Sequence, residues 1–337
     1  MVPLVSVLMV AYNAADFLIP AVQSVLAQSL NDLELVLVDN ASSDGSVDRL
    51  KSACADPRLR ILRQDRNLLH PGGLLAGLPH CRGELVAIMD ADDLSLPHRL
   101  ARQVDALKAD SSIGVIGCAA ATIDGRGAVT GHEFALLDRS EIRTYLQFDM
   151  PFNFPTVLAR RRVFESFPFR IETAPTHDLD WLMRVAESHD LSCLRENLFH
   201  YRRHESSTTA RDPARLFANA SAVRLAHARR RAGLAENLND LLAERDKLMA
   251  GKPSPAGVFL HFAQLALNDG LWMQAAWHSR KAGVFGQRWQ GFKLLATTLA
   301  QANRHSYPRR RELLRLAFLG TVLGYRLHPL MRRANEK

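Results

Sequence analysis

The apolar positions in the N-terminal part of the chain follow two rhythms. Val5-Ser6-Val7-Leu8-Met9-Val10 is a short run rich in β-branched residues that stops at the turn-prone pair Tyr12-Asn13, the pattern of a buried strand. Ala15 to Gln28 then places Phe17, Leu18, Ala21, Val22, Val25 and Leu26 at helical spacing, so that one helix face covers a sheet. Leu33 to Val38 reads as a second strand ending at Asp39, and Asn40 to Gly45 as a loop with N-cap residues for the next helix. Leu59 to Leu62 and Leu85 to Met89 supply two more strands with helical segments between them. Strands alternating with helices predict an α/β fold: a doubly wound, mostly parallel Rossmann-like sheet with helices on both faces. Ligands of such sheets gather at the carboxyl ends of the strands, so the polar residues that follow strands are the ones to read for chemistry.

Beyond Ala210 the periodicity is helical throughout, with breaks at Gly251-Lys252-Pro253-Ser254-Pro255 and near Tyr307-Pro308. This predicts two domains, residues 1–210 and an all-α C-terminal appendage over 211–337. His261 to Ala282 reads as a helix, a turn at Gly270 and a second helix packed through small residues. It is one tetratricopeptide-like hairpin at most, since no repeat period accompanies it. Charge divides at the same place. Residues 211–337 carry 22 Lys/Arg against 8 Asp/Glu, while the first 210 carry 21 against 27, so a net charge of +8 hides a basic tail and an acidic N-terminal region. A basic tail favours an anionic partner.

Composition narrows the class. At 337 residues, 47% hydrophobic and 23% charged, the chain is neither disordered, collagenous nor a disulfide miniprotein. Cys54, Cys81, Cys118 and Cys193 are too widely spread for a metal knuckle and are expected to be reduced and buried. No run approaches the length of a membrane span, and Val2 to Ala11 lacks the basic flank and cleavage site of a signal peptide. The expectation is a cytoplasmic protein, either free or peripheral to the inner face of the plasma membrane. The second arrangement rests on Arg309-Arg310-Arg311 preceding an apolar stripe from Leu313 to Leu323, with Arg326, Arg332 and Arg333 beyond it. Residues 309–333 thus read as a basic-flanked amphipathic helix that contacts a membrane interface or docks on the protein. Nucleic acid is excluded as a partner by the lack of aromatic residues among the arginines and of any recognition motif.

The strongest chemical signal is Met89-Asp90-Ala91-Asp92-Asp93, where three carboxylates follow a wholly apolar strand. Like charges this close raise one another's pKa unless a cation neutralises them, so the cluster invites a hard divalent ion, Mg²⁺ or Mn²⁺, shared with a nucleoside diphosphate. The competing reading is an acidic N-cap for the helix expected near Leu96-Pro97. Asp39 also ends an apolar strand and is expected near Asp90, accepting hydrogen bonds from a base or ribose unless it only forms a turn.

With these residues in place, the chain resembles the nucleotide-sugar glycosyltransferases of family 2, which have the GT-A fold. The opening strand, Tyr12-Asn13 and Ser24-Val25-Leu26-Ala27-Gln28 are similar to the family's opening. Val36 to Ser46 is similar to its nucleobase loop, and Arg82-Gly83-Glu84 leading through Met89 to Asp93 and Pro97 to its metal and diphosphate signature. His177-Asp178-Leu179-Asp180-Trp181 with Arg184 resembles the helix start that supplies the base, and Tyr201-Arg202-Arg203-His204 the closing motif. The resemblance spans about residues 3–208.

The resemblance implies that Ala11, Tyr12, Asn13, Asp39 and Asn67 bind the donor, with Asp39 facing the base. It places Asp90 on the ribose with Ala91 beside it, Asp92 on the metal, and His204 near the metal or diphosphate. Asp178 is implied to be the general base of an inverting, single-displacement transfer assisted by Mn²⁺ or Mg²⁺. The implied donor is a UDP-sugar, and the acceptor a glycan or lipid-linked glycan in cell-surface polysaccharide synthesis. The alternative is a catalytically weakened sugar-nucleotide-binding protein or membrane-recruited scaffold. It draws on departures from the family pattern: Leu69, Leu75 and Ala76 stand where Gly, Asn and Arg are common, Ala11 where Pro is, and His177 replaces a Glu. A protonated His177 would lower the pKa of Asp178; a helix-capping His177 would not.

Other features have plainer readings. His200 and His204 are four apart, but Tyr201-Arg202-Arg203 read as extended, against a zinc site. Trp181, within an apolar helical stripe, is expected in the core rather than on an acceptor sugar. Pro71-Gly72-Gly73 lacks the Lys-Ser/Thr of a phosphate loop and reads as a turn.

Overall fold

The computed structural model describes residues 2–133, 139–147, 149–204 and 212–269, with scattered positions as far as 281. The chain forms two compact units that divide between Arg211 and Asp212.

The first unit is a mixed α/β sheet with helices against it. Its parallel half is built from β1 (Val5–Ala11), β2 (Leu33–Asp39), β3 (Leu59–Arg63) and β4 (Leu85–Asp90), in the order β3-β2-β1-β4. Every residue of β1 and β2 is buried, which is why these strands read as continuous apolar runs rather than alternating ones. Their helices include α1 (Leu18–Leu26), α2 (Ser46–Ala53) and α3 (Leu69–Gly77). Leu18, Val22 and Val25 of α1 join Val7, Met9, Leu35, Leu37 and Ala87 in one core.

The other half of the sheet runs in both directions. Following β4 come the two-residue strand β5 (Leu94–Ser95), α4 (Arg99–Ala109), β6 (Ile113–Ile123), β7 (Val129–Glu133), α5 (Arg139–Tyr145), β8 (Leu158–Arg160), α6 (Arg161–Ser166), α7 (His177–Val185) and β9 (Asp190–Arg202). β8 lies antiparallel between β4 and β6, and β9 runs parallel to β6 and antiparallel to β5. The long strand β9 therefore returns the chain to the segment that follows Asp90.

Where the sequence reads as a turn, Pro71-Gly72-Gly73, the chain is helical: α3 lies directly on β1. A Cβ on Gly73 would stand 2.6 Å from Val10 Cγ1, and one on Gly77 would strike Leu8 and Val38. The glycines thus serve a close helix-to-strand approach rather than a chain reversal. Gly73→Val should cost about 1–3 kcal/mol through overpacking, read as a lower denaturant midpoint with an unchanged slope.

Arg82 and Gly83 lie at the opposite end of β4 from Asp90 and do structural work. Glu34 accepts from Ser6 Oγ (2.7 Å), Arg82 N (2.8 Å) and Arg82 Nε (2.8 Å), while Gly83 N donates to Ser6 Oγ (2.8 Å). Burial opposes the charge on Glu34, yet the hydrogen bonds from Arg82 and Ser6 hold its pKa below the ordinary carboxylate range.

The described part of the second unit is helical: α8 (Pro213–Arg231), α9 (Leu238–Ala250) and α10 (Pro255–Asn268). Asp212 caps α8 by accepting from Arg215 N (3.0 Å), and Ser254 caps α10 by accepting from Gly257 N (3.2 Å). Ala218, Ala222, Leu225, Leu241, Leu242, Val258, Phe262 and Ala266 form its core. Of the second helix expected after Gly270, Gln274, Ala275, Trp277, His278, Ser279 and Lys281 are described and helical, while the basic helix at 309–333 lies outside the described residues. No helix among the described residues is long and apolar enough to cross a membrane.

Candidate active site

The parallel strands end in a row of functional groups. Register pairs Arg63 with Asp39, Asp39 with Ala11, and Val10 with Asp90. Neighbouring strands are about 4.8 Å apart, so Asp39 and Asp90 stand about 10 Å apart, the span of a nucleoside. Asp39 is fully buried: its Oδ1 accepts from Ser42 N (2.9 Å), while its Oδ2 has no hydrogen bond and faces Arg63 Nε at 3.6 Å. Asp39, Ser42, Ser43, Gly45, Val47, Asp48 and Arg63 line a cavity of about 150 Å³.

Of the expected donor residues Asp39 lines this cavity, and Asn13 braces the loop that forms its wall. Asn13, with φ at +51°, accepts from Ser43 N through Oδ1 (2.8 Å) and donates its own N–H to Ser42 Oγ (3.1 Å). Ala11 O accepts from Asn40 N (2.8 Å). Asn67 Oδ1 accepts from Asn40 Nδ2 (3.0 Å) and Leu69 N (2.8 Å), so its acceptor is spent on the turn into α3. Tyr12 is 50% exposed and free to cover a ligand.

At the end of β4 the oxygens of Asp90, Asp92 and Asp93 lie within 4.8 Å of one another, with Ala91 buried between them. They do not cap a helix: β5 follows them, and α4 begins only at Arg99. Asp93 is buried and accepts from Arg202 N (2.6 Å), while its Oδ2 has no hydrogen bond. Burial, together with Asp92 and Asp90, raises the Asp93 pKa well above the usual carboxylate range. The end of β9 closes over the cluster. Arg202 Nε donates to Asp92 O (2.6 Å), its guanidinium lies 4.8 Å above the Phe17 ring, and His204 Nε2 is 2.9 Å from Asp92 Oδ2. Crowded hard oxygens, a buried oxygen without a hydrogen bond and an adjacent imidazole are a donor set that fits a divalent cation.

The third component is the start of α7. Asp178 is half-buried in the first helical turn, where its Oδ1 accepts from Leu179 N (2.7 Å). Burial pushes its pKa up to about 6, against the pull of the Leu179 N–H and of His70. His177 is not the cation beside it: burial, and then His70, hold His177 well below its ordinary pKa. The imidazole whose pKa is raised is His70 on α3, a residue the sequence pattern did not single out. Burial opposes its charge, but Asp90, Asp178 and Asp92 around it raise its pKa. His70 Nδ1 is 2.9 Å from His177 Nε2, and its Nε2 is 3.4 Å from Asp90 Oδ1. The one sequence signal was a histidine opening the segment after Asn67.

The remaining motif residues are structural. Trp181 is fully buried, stacked 4.7 Å from Phe164, and donates from Nε1 to Phe167 O (2.8 Å). Arg184 pairs with Asp180 (2.9 Å) and donates to Pro168 O (2.8 Å), which fixes α7 against the preceding loop. His200 pairs in register with Leu94 while His204 goes to Asp92, so the two histidines do not form a zinc pair. Cys81 and Cys118 are buried and Cys54 and Cys193 half-buried, all as free thiols.

A sheet of this kind, with a cavity at one strand-end aspartate and an acidic cluster two strands away, has the arrangement of a GT-A-type transferase fold. Residues 6–167 match glycosyl transferase family 2, so the chain carries a domain of that family. Among curated proteins it is 30% identical over 191 residues to the succinoglycan biosynthesis protein ExoO of Rhizobium meliloti, covering 54% of this chain and 55% of that one. The chain spans about half the length of the curated relatives it matches. Among solved structures it is similar to S. aureus TarS 1-349 in complex with UDP-GlcNAc, with a TM-score of 0.59, 16% identity and coverage of 90% and 92% of the two chains. It is also similar to the mannosyltransferase PcManGT from Pyrobaculum calidifontis in complex with GDP-Man and Mn2+, with a TM-score of 0.50, 18% identity and coverage of 95% and 87%.

Proposed function

We propose that the chain is an inverting, metal-dependent glycosyltransferase that moves a sugar from a UDP-sugar to a glycan or lipid-linked acceptor in cell-surface polysaccharide synthesis. The observation that carries the reading is the convergence of strand ends and a helix start: a cavity at Asp39, an acidic cluster at Asp90 to Asp93, and the Asp178 carboxylate at the start of α7. ExoO, a succinoglycan biosynthesis protein, supports the polysaccharide setting, and TarS in complex with UDP-GlcNAc supports the donor class.

Asp39 Oδ2, a buried acceptor without a hydrogen bond, receives an N–H of the nucleobase, and Tyr12 covers the ring. Asp90 contacts the ribose. Asp92 and His204 would hold a divalent ion, Mn²⁺ or Mg²⁺, which when bound supplies charge for the leaving diphosphate. Asp178 removes the acceptor hydroxyl proton as the new bond forms to the anomeric carbon and the bond to the diphosphate oxygen breaks. A single base with no covalent intermediate gives inversion. The closing segment at Arg202 and His204 keeps water from the donor side.

The test is a thermal-shift panel of UDP, GDP, CDP and dTDP with and without Mn²⁺. UDP with Mn²⁺ should stabilise by about 3 kcal/mol at a hundredfold excess over Kd, and Asp39→Ala should remove that shift. No shift with any nucleotide would overturn the transferase reading in favour of a scaffold.

A further inference from the structure

The contact between His70 and His177 is not needed to build either helix, yet it is held from both sides. On the α3 side, Asn40 Nδ2 donates to Leu69 O (3.1 Å) and Asn40 Oδ1 accepts from Leu68 N (2.9 Å), pinning the turn that presents His70. Gly73 seats the same helix against Val10. On the α7 side the His177 ring meets Phe154 edge-on at 6.1 Å and 80°, and Phe169 at 6.0 Å and 70°. These contacts leave His177 Nε2 directed at His70, 2.9 Å away, while its buried Nδ1 has no hydrogen bond. The other nitrogen of His70 is buried without a hydrogen bond and faces Asp90 Oδ1 at 3.4 Å. One imidazole therefore bridges the end of β4 and the residue immediately before Asp178, 107 positions away in sequence from His177.

We propose that His70 is a positioning residue for the transfer reaction: its ring braces Asp90 to His177 and so sets where the Asp178 carboxylate stands relative to the bound donor. The inference rests on the proposed function and deepens it. Asp178 Oδ1 is held by the Leu179 N–H of its own helix turn, and a displacement of the order of 1 Å at a reacting group is enough to cost about 100-fold in rate. A brace anchored to the strand that carries the donor makes base and donor move as one body. The His70 side chain is 31% exposed, so the bridge lies at the wall of the site rather than deep in the core.

The full chain is assayed for Mn²⁺-dependent hydrolysis of UDP-sugars, with donor affinity measured separately by calorimetry using UDP. His70→Phe keeps the ring and removes both nitrogens; it should lower kcat about 100-fold while KM for the donor stays within about threefold. His177→Phe should do the same, and the double variant should be no worse than the poorer single one, because the pair acts as a unit. His70→Asn restores a polar atom near Nδ1 and should recover part of kcat. In ¹⁵N spectra of the wild type, the His70 Nδ1 and His177 Nε2 signals should change together, and either substitution should remove the coupling. This measurement stands even where His177→Phe folds poorly. An unchanged kcat in His70→Phe, a loss confined to KM, or single losses that multiply in the double variant would overturn the positioning role while leaving the transferase reading intact. A wild type that neither binds UDP nor hydrolyses any donor would overturn both.

Discussion

Asp178→Asn should abolish transfer and at the same time make the protein more stable. In the proposed role of general base the carboxylate contributes about 10²–10⁴-fold, and asparagine cannot take the proton. Its stability effect has the opposite sign. Burial raises the Asp178 pKa to about 6, so the fold favours the protonated form. That preference stabilises the native state below the unfolded pKa near 4 and is lost as pH rises through about 6. At neutral pH the ionised group is a liability of about 1–2 kcal/mol for a half-buried carboxyl, and its removal should raise Tm by several degrees. In the wild type, kcat/KM should rise tenfold per pH unit and level off above about 6, because the acid limb reports the base. An Asp178→Asn variant that retains more than a tenth of the wild-type rate would remove Asp178 from the chemistry. One that loses activity together with stability would assign it a structural role instead.

Asp92→Ala should leave the nucleobase cavity intact and remove the response to divalent ions. Asp92 carries the contact to His204 and stands beside Asp93, whose pKa burial and neighbouring carboxylates drive well up. Without a cation the cluster is electrostatically strained, so Mn²⁺ should stabilise the wild type, and more strongly as pH rises and protons no longer compete. In Asp92→Ala both the Mn²⁺ shift and its pH dependence should disappear. Donor hydrolysis should fall at least about 10³-fold, since charge stabilisation of a leaving diphosphate is worth several kcal/mol. Because Asp93 is relieved of a like charge, the variant without ion should be no less stable than the wild type. UDP binding measured without metal should survive in Asp92→Ala and be lost in Asp39→Ala, which separates the two halves of the site. A Mn²⁺ shift that persists in Asp92→Ala would move the ion elsewhere.

The parallel half of the sheet was legible from the chain because buried parallel strands need apolar residues on both faces. β1, β2 and β4 stand out for that reason, and so do Asp39 and Asp90, as polar residues that terminate them. The extended nature of Tyr201-Arg202 and the core placement of Trp181 follow from equally local patterns. Local pattern failed at α3, where glycines that read as a turn form a helix because β1 offers them a surface that side chains could not approach. It failed again at Arg82-Gly83, which lies in the donor-signature stretch of sequence yet is used in a buried network with Glu34 and Ser6.

The charge state of the catalytic corner could not be read from the chain either. His177 sits beside Asp178 in sequence, yet burial among aromatic rings holds its pKa well down, while on a different helix Asp90, Asp178 and Asp92 raise that of His70 against its burial. Periodicity and strand ends made legible the α/β architecture, the order of the elements and the strand-end carboxylates Asp39, Asp90 and Asp92, because these express short-range rules of burial and termination; Asp178 stood out only through the resemblance to family 2. The family resemblance implied that His204 and Asp92 share a site, and the tertiary structure brings them to 2.9 Å across 112 positions; that His70 reaches both Asp90 and His177 was decided by tertiary structure alone. Both depend on how sheet and helices stack, and electrostatic coupling follows distance in space, which spacing along the chain does not encode.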